Sequence, residues 1–111
     1  MKVRGTLKKN SDFRRLYAKG KSAVTPYLVL YARPNRLGEN RLGYTVSVKI
    51  GHAVVRNRVR RRLREIYRLN APRLRQVYDL VIVSRSRAVG CAYRKLDAAF
   101  LRACESLELT L

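Results

Sequence analysis

The sequence predicts an α+β fold in which helices cover a single layer of mostly antiparallel sheet. Residues 54–69 repeat apolar positions at the spacing of an amphipathic helix. Residues 27–33 and 41–49 alternate as strands do, and residues 80–83 form a continuous apolar run that is typical of a strand buried on both faces. With helical patterns towards both ends, the predicted order is helix, strand, strand, helix, strand, helix.

Composition predicts one domain, residues 1–111, that binds a polyanion. The 111 residues are 47% apolar, which is enough for one core and argues against a disordered basic tail. Lysine and arginine number 26 against seven acids, so the formal net charge is +19. A charge of this size indicates the partner rather than the fold, and nucleic acid is the first candidate.

The distribution of apolar residues predicts the cellular location of the protein, and the spacing of the cysteines predicts their redox state. Residues 1–21 are interrupted by charges, and no run approaches the ~18–20 apolar residues of a membrane span. We therefore expect a soluble, cytoplasmic protein with no membrane partner. Cys91 and Cys104 are 13 residues apart in a predicted last helix over residues 91–106. At ~1.5 Å per residue they are too distant to bridge, so both should be free thiols.

A first helix is predicted to begin near residue 10. Asn10 or Ser11 can cap its N-terminus, and Gly20 is predicted to end it in the left-handed conformation. The pattern also allows an extra short strand near Leu7.

Aromatic and basic residues are interleaved on this first helix. Phe13, Leu16 and Tyr17 share one helical face at i, i+3 and i+4. The basic residues beside them are Arg14, Arg15, Lys19 and Lys21. The three are either core residues or part of a surface that stacks bases while holding phosphates, and the sequence leaves both open.

The first two strands are predicted to pair with each other. Only residues 34–40 separate them, and so short a link predicts an antiparallel hairpin. The second strand carries a row of small residues, Gly43, Thr45 and Ser47. This row is either the floor of a shallow groove or a plain solvent face.

The helix over residues 54–69 combines an apolar stripe with seven arginines. The stripe consists of Val55, Val59, Leu63 and Ile66, and the arginines are Arg56, Arg58, Arg60, Arg61, Arg62, Arg64 and Arg68. Like charges one turn apart destabilise an isolated helix by roughly 0.2–0.5 kcal/mol per pair, and Glu65 is the one acid among them. The pattern indicates a polyanionic partner, and the planar guanidinium fork favours phosphate.

Catalytic chemistry by the protein itself is not predicted. The seven acids are scattered along the chain, and His52 is the only histidine. Acid–base or metal catalysis needs clustered groups, and the sequence has no Gly-rich phosphate loop. The residues therefore predict a nucleic-acid-binding protein without catalytic or metal-binding side chains.

Residues 49–64 carry a resemblance to a known family. Their sequence, Lys-Ile-Gly-His-Ala-Val-Val-Arg-Asn-Arg-Val-Arg-Arg-Arg-Leu-Arg, resembles the Arg-Asn-Arg signature of the bacterial ribonuclease P protein subunit. Residues 7–13, Gly20 and the strand that ends in Leu30-Tyr31 are similar to that family too. The resemblance extends over about residues 6–103.

The resemblance implies a function and a topology. Ribonuclease P removes the 5′ leader from precursor tRNA, and the RNA subunit is the catalyst, with Mg²⁺ held mainly by the RNA. The protein subunit would bind the RNA subunit and precursor tRNA, strengthen magnesium binding and require no protein partner. The family fold also implies a left-handed β-α-β crossover, which general topology rules would not predict.

The resemblance also assigns residues to two RNA partners. The RNA subunit would be bound by Arg56, Asn57, Arg58, Arg60, Arg61, Arg64 and Arg68. The leader would lie in a cleft between the first helix and the sheet, against Phe13, Tyr17, Tyr31, Ser47, Lys49 and Arg85. The family commonly has Asn at the position of His52, and Asn is the better helix cap.

Two other functions fit part of the sequence. A structural RNA-binding protein of the ribosomal type fits the composition equally well, but the signature and the aromatic–basic groove favour ribonuclease P. A membrane-surface protein would use the arginine helix as a basic amphipathic helix. That helix lacks Trp and Phe, and the strands are strong, so this function is disfavoured.

Overall fold

A computed structural model describes residues 6–7 and 9–111 as a mixed α+β structure. The helices are α1 (Asn10–Lys19), α2 (Ala53–Asn70) and α3 (Tyr93–Ser106). The strands are β1 (Lys21–Val24), β2 (Leu28–Pro34), β3 (Arg41–Thr45) and β4 (Tyr78–Ser84). Short 3-10 turns lie at Val48–Ile50, Ala71–Arg73 and Ser86–Ala88. The predicted fold class is confirmed.

The sheet has the order β1-β2-β4-β3, and its central strands differ from the predicted pairing. β2 is antiparallel to both β1 and β4, whereas β3 is parallel to β4. Since β4 lies between β2 and β3, the predicted hairpin of residues 27–33 with 41–49 is wrong. The continuous apolar run of β4 explains the insertion, because it gains most from a central position covered on both faces.

The parallel pairing of β3 and β4 makes α2 the connection of a β-α-β unit. This is the kind of crossover that the family resemblance implies. Its left-handedness stays a prediction.

Three details of the strands differ from the prediction. β1 was missed because four residues are too few to show a period of two. β3 ends at Thr45 instead of extending to residue 49, because the chain enters a 3-10 turn where the Ser47 hydroxyl accepts a hydrogen bond from the Lys49 amide at 3.1 Å. The extra strand near Leu7 is a single parallel bridge between Thr6 and Leu42.

Helices cover both faces of the sheet. α2 and α3 pack on one face around a core that includes Leu28, Leu30, Leu63, Ile66, Leu80, Ile82, Leu96 and Phe100, each at most 1% exposed. α1 packs on the other face, where a smaller cluster forms around Leu7, Leu16 and Val81. The two helical layers therefore present their outer surfaces in opposite directions.

The ends of α1 differ from both predicted caps. Lys9 is the N-cap residue and makes no side-chain cap, so Asn10 and Ser11 already lie in the helix. Gly20 is extended, with φ of −77°, and is not left-handed. A Cβ at Gly20 would lie 2.6 Å from the Leu16 carbonyl oxygen. Glycine is needed here for the close approach of the backbone where α1 passes directly into β1.

Most of the predicted apolar stripe of α2 is buried, although Val55 is only half-buried. The C-terminus of α2 is joined to α3 by a hydrogen bond. Val59, Leu63 and Ile66 are buried. At the last turn, the Asn70 side-chain amide donates to the Ile66 carbonyl at 2.9 Å and to Asp97 Oδ1 at 2.7 Å. This bond connects the arginine helix to the rest of the core.

α3 begins two residues later than predicted, so Cys91 lies just before it. Cys91 is half-buried and Cys104 is buried, and both are free thiols, as predicted. Among the residues described, no helix is long and apolar enough to cross a membrane.

Val77 lies in the loop before β4 and has a φ of 70°, in the left-handed region that a β-branched side chain rarely adopts. We expect Val77→Gly to raise the free energy of unfolding by about 0.5–1 kcal/mol, because glycine relieves this strain. Urea denaturation measures it. Val89 is the matched control, since it is also 40% exposed but has a φ of −71°. Val89→Gly should lower stability, and a gain in both variants would contradict the assignment of strain to Val77.

His52 is the N-cap residue of α2, since its carbonyl accepts from the Arg56 amide at 3.0 Å, but its side chain makes no cap. We expect His52→Asn to stabilise the protein by ~1 kcal/mol, because the amide oxygen can accept from a free N–H of the first turn. Thermal unfolding of His52→Asn beside His52→Ala tests this. The Ala variant should show no gain, and equal stability of the two would rule out a capping effect.

Candidate nucleic-acid interface

The seven arginines of α2 are not equivalent. Arg56, Arg60 and Arg62 are half-buried beside the apolar stripe. The exposed members, together with Asn57, are Arg58, Arg61, Arg64 and Arg68, which we call the arginine surface. All the residues that the resemblance assigns to the RNA subunit lie on α2, although Arg56 and Arg60 are less accessible than the others.

Acids neutralise little of the arginine surface. The Arg68 guanidinium lies 2.7 Å from Glu65, and this hydrogen bond lowers the pKa of the Glu65 carboxyl. Arg60 donates to the Asn57 side-chain oxygen at 3.1 Å. Within residues 6–7 and 9–111, Arg58, Arg61 and Arg64 have no acid in salt-bridge distance. Three exposed guanidinium groups are therefore available to a polyanion.

Two tyrosines support arginines of α2 from neighbouring elements. The Arg64 guanidinium lies 5.9 Å from the centre of the Tyr44 ring, and that of Arg62 lies 5.9 Å from the Tyr93 ring. Burial raises the pKa of Tyr44 to about 12, so it remains a neutral phenol. Cation–π contacts of this kind restrict the side chains before any partner arrives. Neither tyrosine was predicted from the sequence to contact these arginines.

On the opposite face of the sheet, α1 leaves one end of the strands partly open. The cross-strand row that lies at this end consists of Val24, Val29, Val83 and Thr45. Val24 is 67% exposed and the other three are half-buried. We call this open end, with Tyr17 and Tyr31 beside it, the tyrosine trough.

Tyr17 and Tyr31 form the aromatic wall of the trough. Their ring centres are 5.0 Å apart, with an edge-to-face angle of 72°. The Tyr17 hydroxyl lies 2.7 Å from Thr45 Oγ1, which fixes the ring across the open row. Tyr17 is 41% exposed and Tyr31 is half-buried, so neither ring is sealed in the core. Both rings are therefore partly accessible to solvent.

Phe13 is placed mainly by packing. It is half-buried in the smaller core cluster, and a Cβ at Gly43 would lie 2.6 Å from its ring. The absence of a side chain at Gly43 therefore lets α1 lie close to β3. Of the row of small residues, Gly43 is buried, Thr45 is half-buried and Ser47 is exposed. Thr45 therefore lies in the open row, Gly43 is covered by the Phe13 ring, and Ser47 lies beyond the end of β3.

The remaining predicted leader residues form a polar rim. Ser47 and Lys49 follow β3, and Arg85 follows β4. Because β3 and β4 are parallel, the residues that follow them meet at one edge of the sheet, beside the open row. All three are exposed, and Arg85 donates to the Thr25 carbonyl at 3.0 Å. Phe13, Tyr17 and Tyr31 therefore lie on the α1 face of the sheet. Ser47, Lys49 and Arg85 follow β3 and β4 at the end of the sheet where the open row lies.

A charged cluster that the sequence analysis missed fixes α1 to the sheet. Arg41 donates two hydrogen bonds to Asp79, at 2.8 and 2.7 Å, and lies 3.8 Å from Asp12 of α1. Burial would raise the pKa of Asp79, but hydrogen bonds from Arg41 and Asn35 outweigh it and hold the pKa below its usual value. No local pattern shows this pair, because Arg41 and Asp79 are 38 positions apart in the sequence.

The described residues do not build a magnesium site of their own. No three His, Cys, Asp or Glu side chains among them are grouped to hold a metal. The arginine surface offers guanidinium groups and the Asn57 amide, whereas Mg²⁺ prefers carboxylate, phosphate and water oxygens. These residues fit a phosphate partner and do not fit a metal ion.

Comparison with known proteins decides the family. The Ribonuclease P family model matches residues 1–108. The chain belongs to the ribonuclease P protein family. It is 46% identical to the ribonuclease P protein component of Natranaerobius thermophilus over 104 residues, which are 94% of this chain and 90% of the relative. It is 40% identical to that of Alkaliphilus oremlandii, covering 98% of this chain and 96% of the relative.

Solved structures of the family share the fold. The Staphylococcus aureus RNase P protein superposes with a TM-score of 0.87 at 27% identity. The match covers 98% of this chain and 100% of the Staphylococcus aureus chain. The Thermotoga maritima protein superposes with a TM-score of 0.81 at 29% identity, covering 89% and 94%. The family predicted from residues 49–64 is confirmed, and with it the context of a ribonuclease that processes tRNA.

Proposed function

We propose that this chain is the protein subunit of ribonuclease P and binds two RNAs on two faces. The arginine surface binds the catalytic RNA subunit, and the tyrosine trough binds the 5′ leader of precursor tRNA. The RNA subunit cleaves the leader, and no protein side chain takes part in bond breaking. The observation that carries this proposal is that Arg58, Arg61 and Arg64 are exposed on α2 with no acid in salt-bridge distance among residues 6–7 and 9–111, in a member of this family.

The arginine surface acts on the RNA subunit through phosphate. Arg58, Arg61 and Arg64 donate paired hydrogen bonds to phosphate oxygens and displace counterions, so binding weakens as salt rises. RNA strands whose phosphates are neutralised can approach each other more closely. Mg²⁺, held mainly by the RNA, would supply the charge stabilisation for phosphodiester cleavage. The protein strengthens the binding of Mg²⁺ by the RNA indirectly, because it reduces repulsion between phosphates.

The tyrosine trough acts on the leader through stacking. Tyr17 and Tyr31 present ring faces and edges to successive bases, and every base has a π-face, so the contact tolerates many leader sequences. Lys49 and Arg85 at the rim are placed to hold the leader phosphates. A processing enzyme that accepts many precursors needs this kind of tolerant binding.

Reconstituted cleavage tests the proposal. Precursor tRNA is mixed with a ribonuclease P RNA subunit at low Mg²⁺, with and without the protein, and release of the leader is measured. We expect cleavage to require the RNA subunit in every case and to be faster with the protein. A structural protein of the ribosomal type would bind RNA but leave the rate unchanged. Cleavage by the protein without the RNA subunit would overturn the division of labour.

A further inference from the structure

A small notch lies beside α2, between the helix and the loop that precedes α3. Its volume is about 320 Å³, at the lower end of the ~300–1,000 Å³ of small-ligand pockets. The apolar walls are formed by Val55 and Val59 of α2 and by Val89 and Cys91 of the loop. Arg58 and Arg62 complete the lining. We call it the valine notch.

We propose that the valine notch receives the base of one unpaired nucleotide of the RNA subunit, while Arg58 and Arg62 hold the phosphates beside that base. This inference rests on the proposed function, since it specifies how the arginine helix recognises its RNA. It adds base insertion to phosphate contact.

Size and charge favour this occupant. The notch takes a single flat ring system, and its valine and cysteine walls offer apolar contact to the faces of that ring. Two guanidinium groups beside an apolar notch match a nucleotide, which joins an apolar ring to an anionic phosphate. Bases within an RNA double helix cannot enter the notch, because their faces are covered by the neighbouring base pairs.

The notch is partly organised before binding. Arg62 is half-buried and lies over the Tyr93 ring, so its guanidinium is already restrained. Val59 is 3% exposed and belongs to the core. Gly90 has a φ of 73°, a conformation that places the loop backbone where few other residues would. A ligand binds more tightly to a preformed notch, because fewer side chains lose conformational freedom when it binds.

Cys91 makes the proposal testable without a destabilising mutation. It lines the notch and is half-buried, whereas Cys104 is buried and burial raises its pKa to about 12. Methyl methanethiosulfonate should therefore modify Cys91 selectively. The product carries an S-methylthio group in the notch, methanesulfinate leaves, and a reducing agent reverses the change.

The first experiment compares affinity for the RNA subunit before and after this modification. We expect at least about a fivefold loss, the low end for one base contact, with an unchanged slope of affinity against salt, because no phosphate contact is removed. Cys91→Ser given the same treatment should keep its affinity, and so should the modified protein after reduction. Full affinity of the modified protein would overturn the proposal.

The second experiment measures the rate at which Cys91 reacts when RNA is bound at saturation. A single-stranded RNA should slow the reaction, whereas a fully paired RNA duplex of the same length should not. Equal protection by both, or by neither, would overturn base insertion. A third measurement separates failure of base insertion from failure of the proposed function. If the arginine surface does not bind the RNA subunit at all, Arg61→Ala leaves that binding unchanged.

Discussion

Replacing Arg58, Arg61 and Arg64 together by alanine is expected to weaken binding of the RNA subunit on the order of 1,000-fold. Each of these exposed side chains lacks an acidic partner among the described residues, so its charge is available to phosphate. A charge-assisted hydrogen bond contributes roughly 1.5 kcal/mol, and three such losses give that factor. The slope of log affinity against log salt should also fall by about three. Filter binding across a salt series measures both.

The control for this variant removes the same charge elsewhere. Arg94, Lys95 and Arg102 are exposed on α3, and replacing them by alanine changes the net charge equally. This variant should lose much less affinity and keep its salt slope. Equal losses in the two variants would mean that net charge alone attracts the RNA, and the arginine surface would have no special role.

Replacing Tyr17 and Tyr31 together by alanine is expected to weaken binding of precursor tRNA by at least about 30-fold, from the loss of two stacked bases, and to spare mature tRNA. The two rings are in contact and partly exposed, and stacking contributes roughly 1–3 kcal/mol per base. The holoenzyme reconstituted with each protein is titrated with both RNAs. If binding of mature tRNA is weakened by the same factor, the assignment of the leader to the tyrosine trough is wrong.

Two variants separate stacking from other effects of these substitutions. Tyr17→Phe keeps the ring and loses the hydrogen bond to Thr45, so it should bind the leader nearly as well as the unaltered protein. Tyr78→Ala removes a half-buried tyrosine whose side chain packs against the main core on the other face of the sheet. It should lower stability and leave discrimination between precursor and mature tRNA intact.

The two proposed RNA contacts lie on opposite sides of the sheet. α2 and α3 cover one face, and α1 covers the other. Residues 47–52 connect them, since this segment passes from the rim of the tyrosine trough to the N-terminus of α2. The RNA subunit and the leader would then approach from different directions and meet near this segment. Such an arrangement would let the protein hold an enzyme RNA and a substrate RNA together.

Features with a local signal in the sequence were predicted correctly. The stripe of α2 and its arginines repeat within a single helix, so their faces follow from helical geometry alone. The continuous apolar run in β4 showed burial on both faces for the same reason. The strand pairing was predicted wrongly because a long-range contact outweighed the local pattern. The short link between β2 and β3 indicated a hairpin, but β4 occupies the place between them.

By itself, the sequence determined the family, the fold class, the basic character and the arginine helix, because these depend on composition, on spacing along one element and on a contiguous signature. Tertiary structure alone decided which rings and charges meet. Tyr17 reaches Thr45 across 28 residues and Arg41 reaches Asp79 across 38. No periodicity encodes such contacts, since each depends on the order in which the strands are arranged. For the same reason the open trough, the supports of the arginines and the valine notch became visible only in the folded chain.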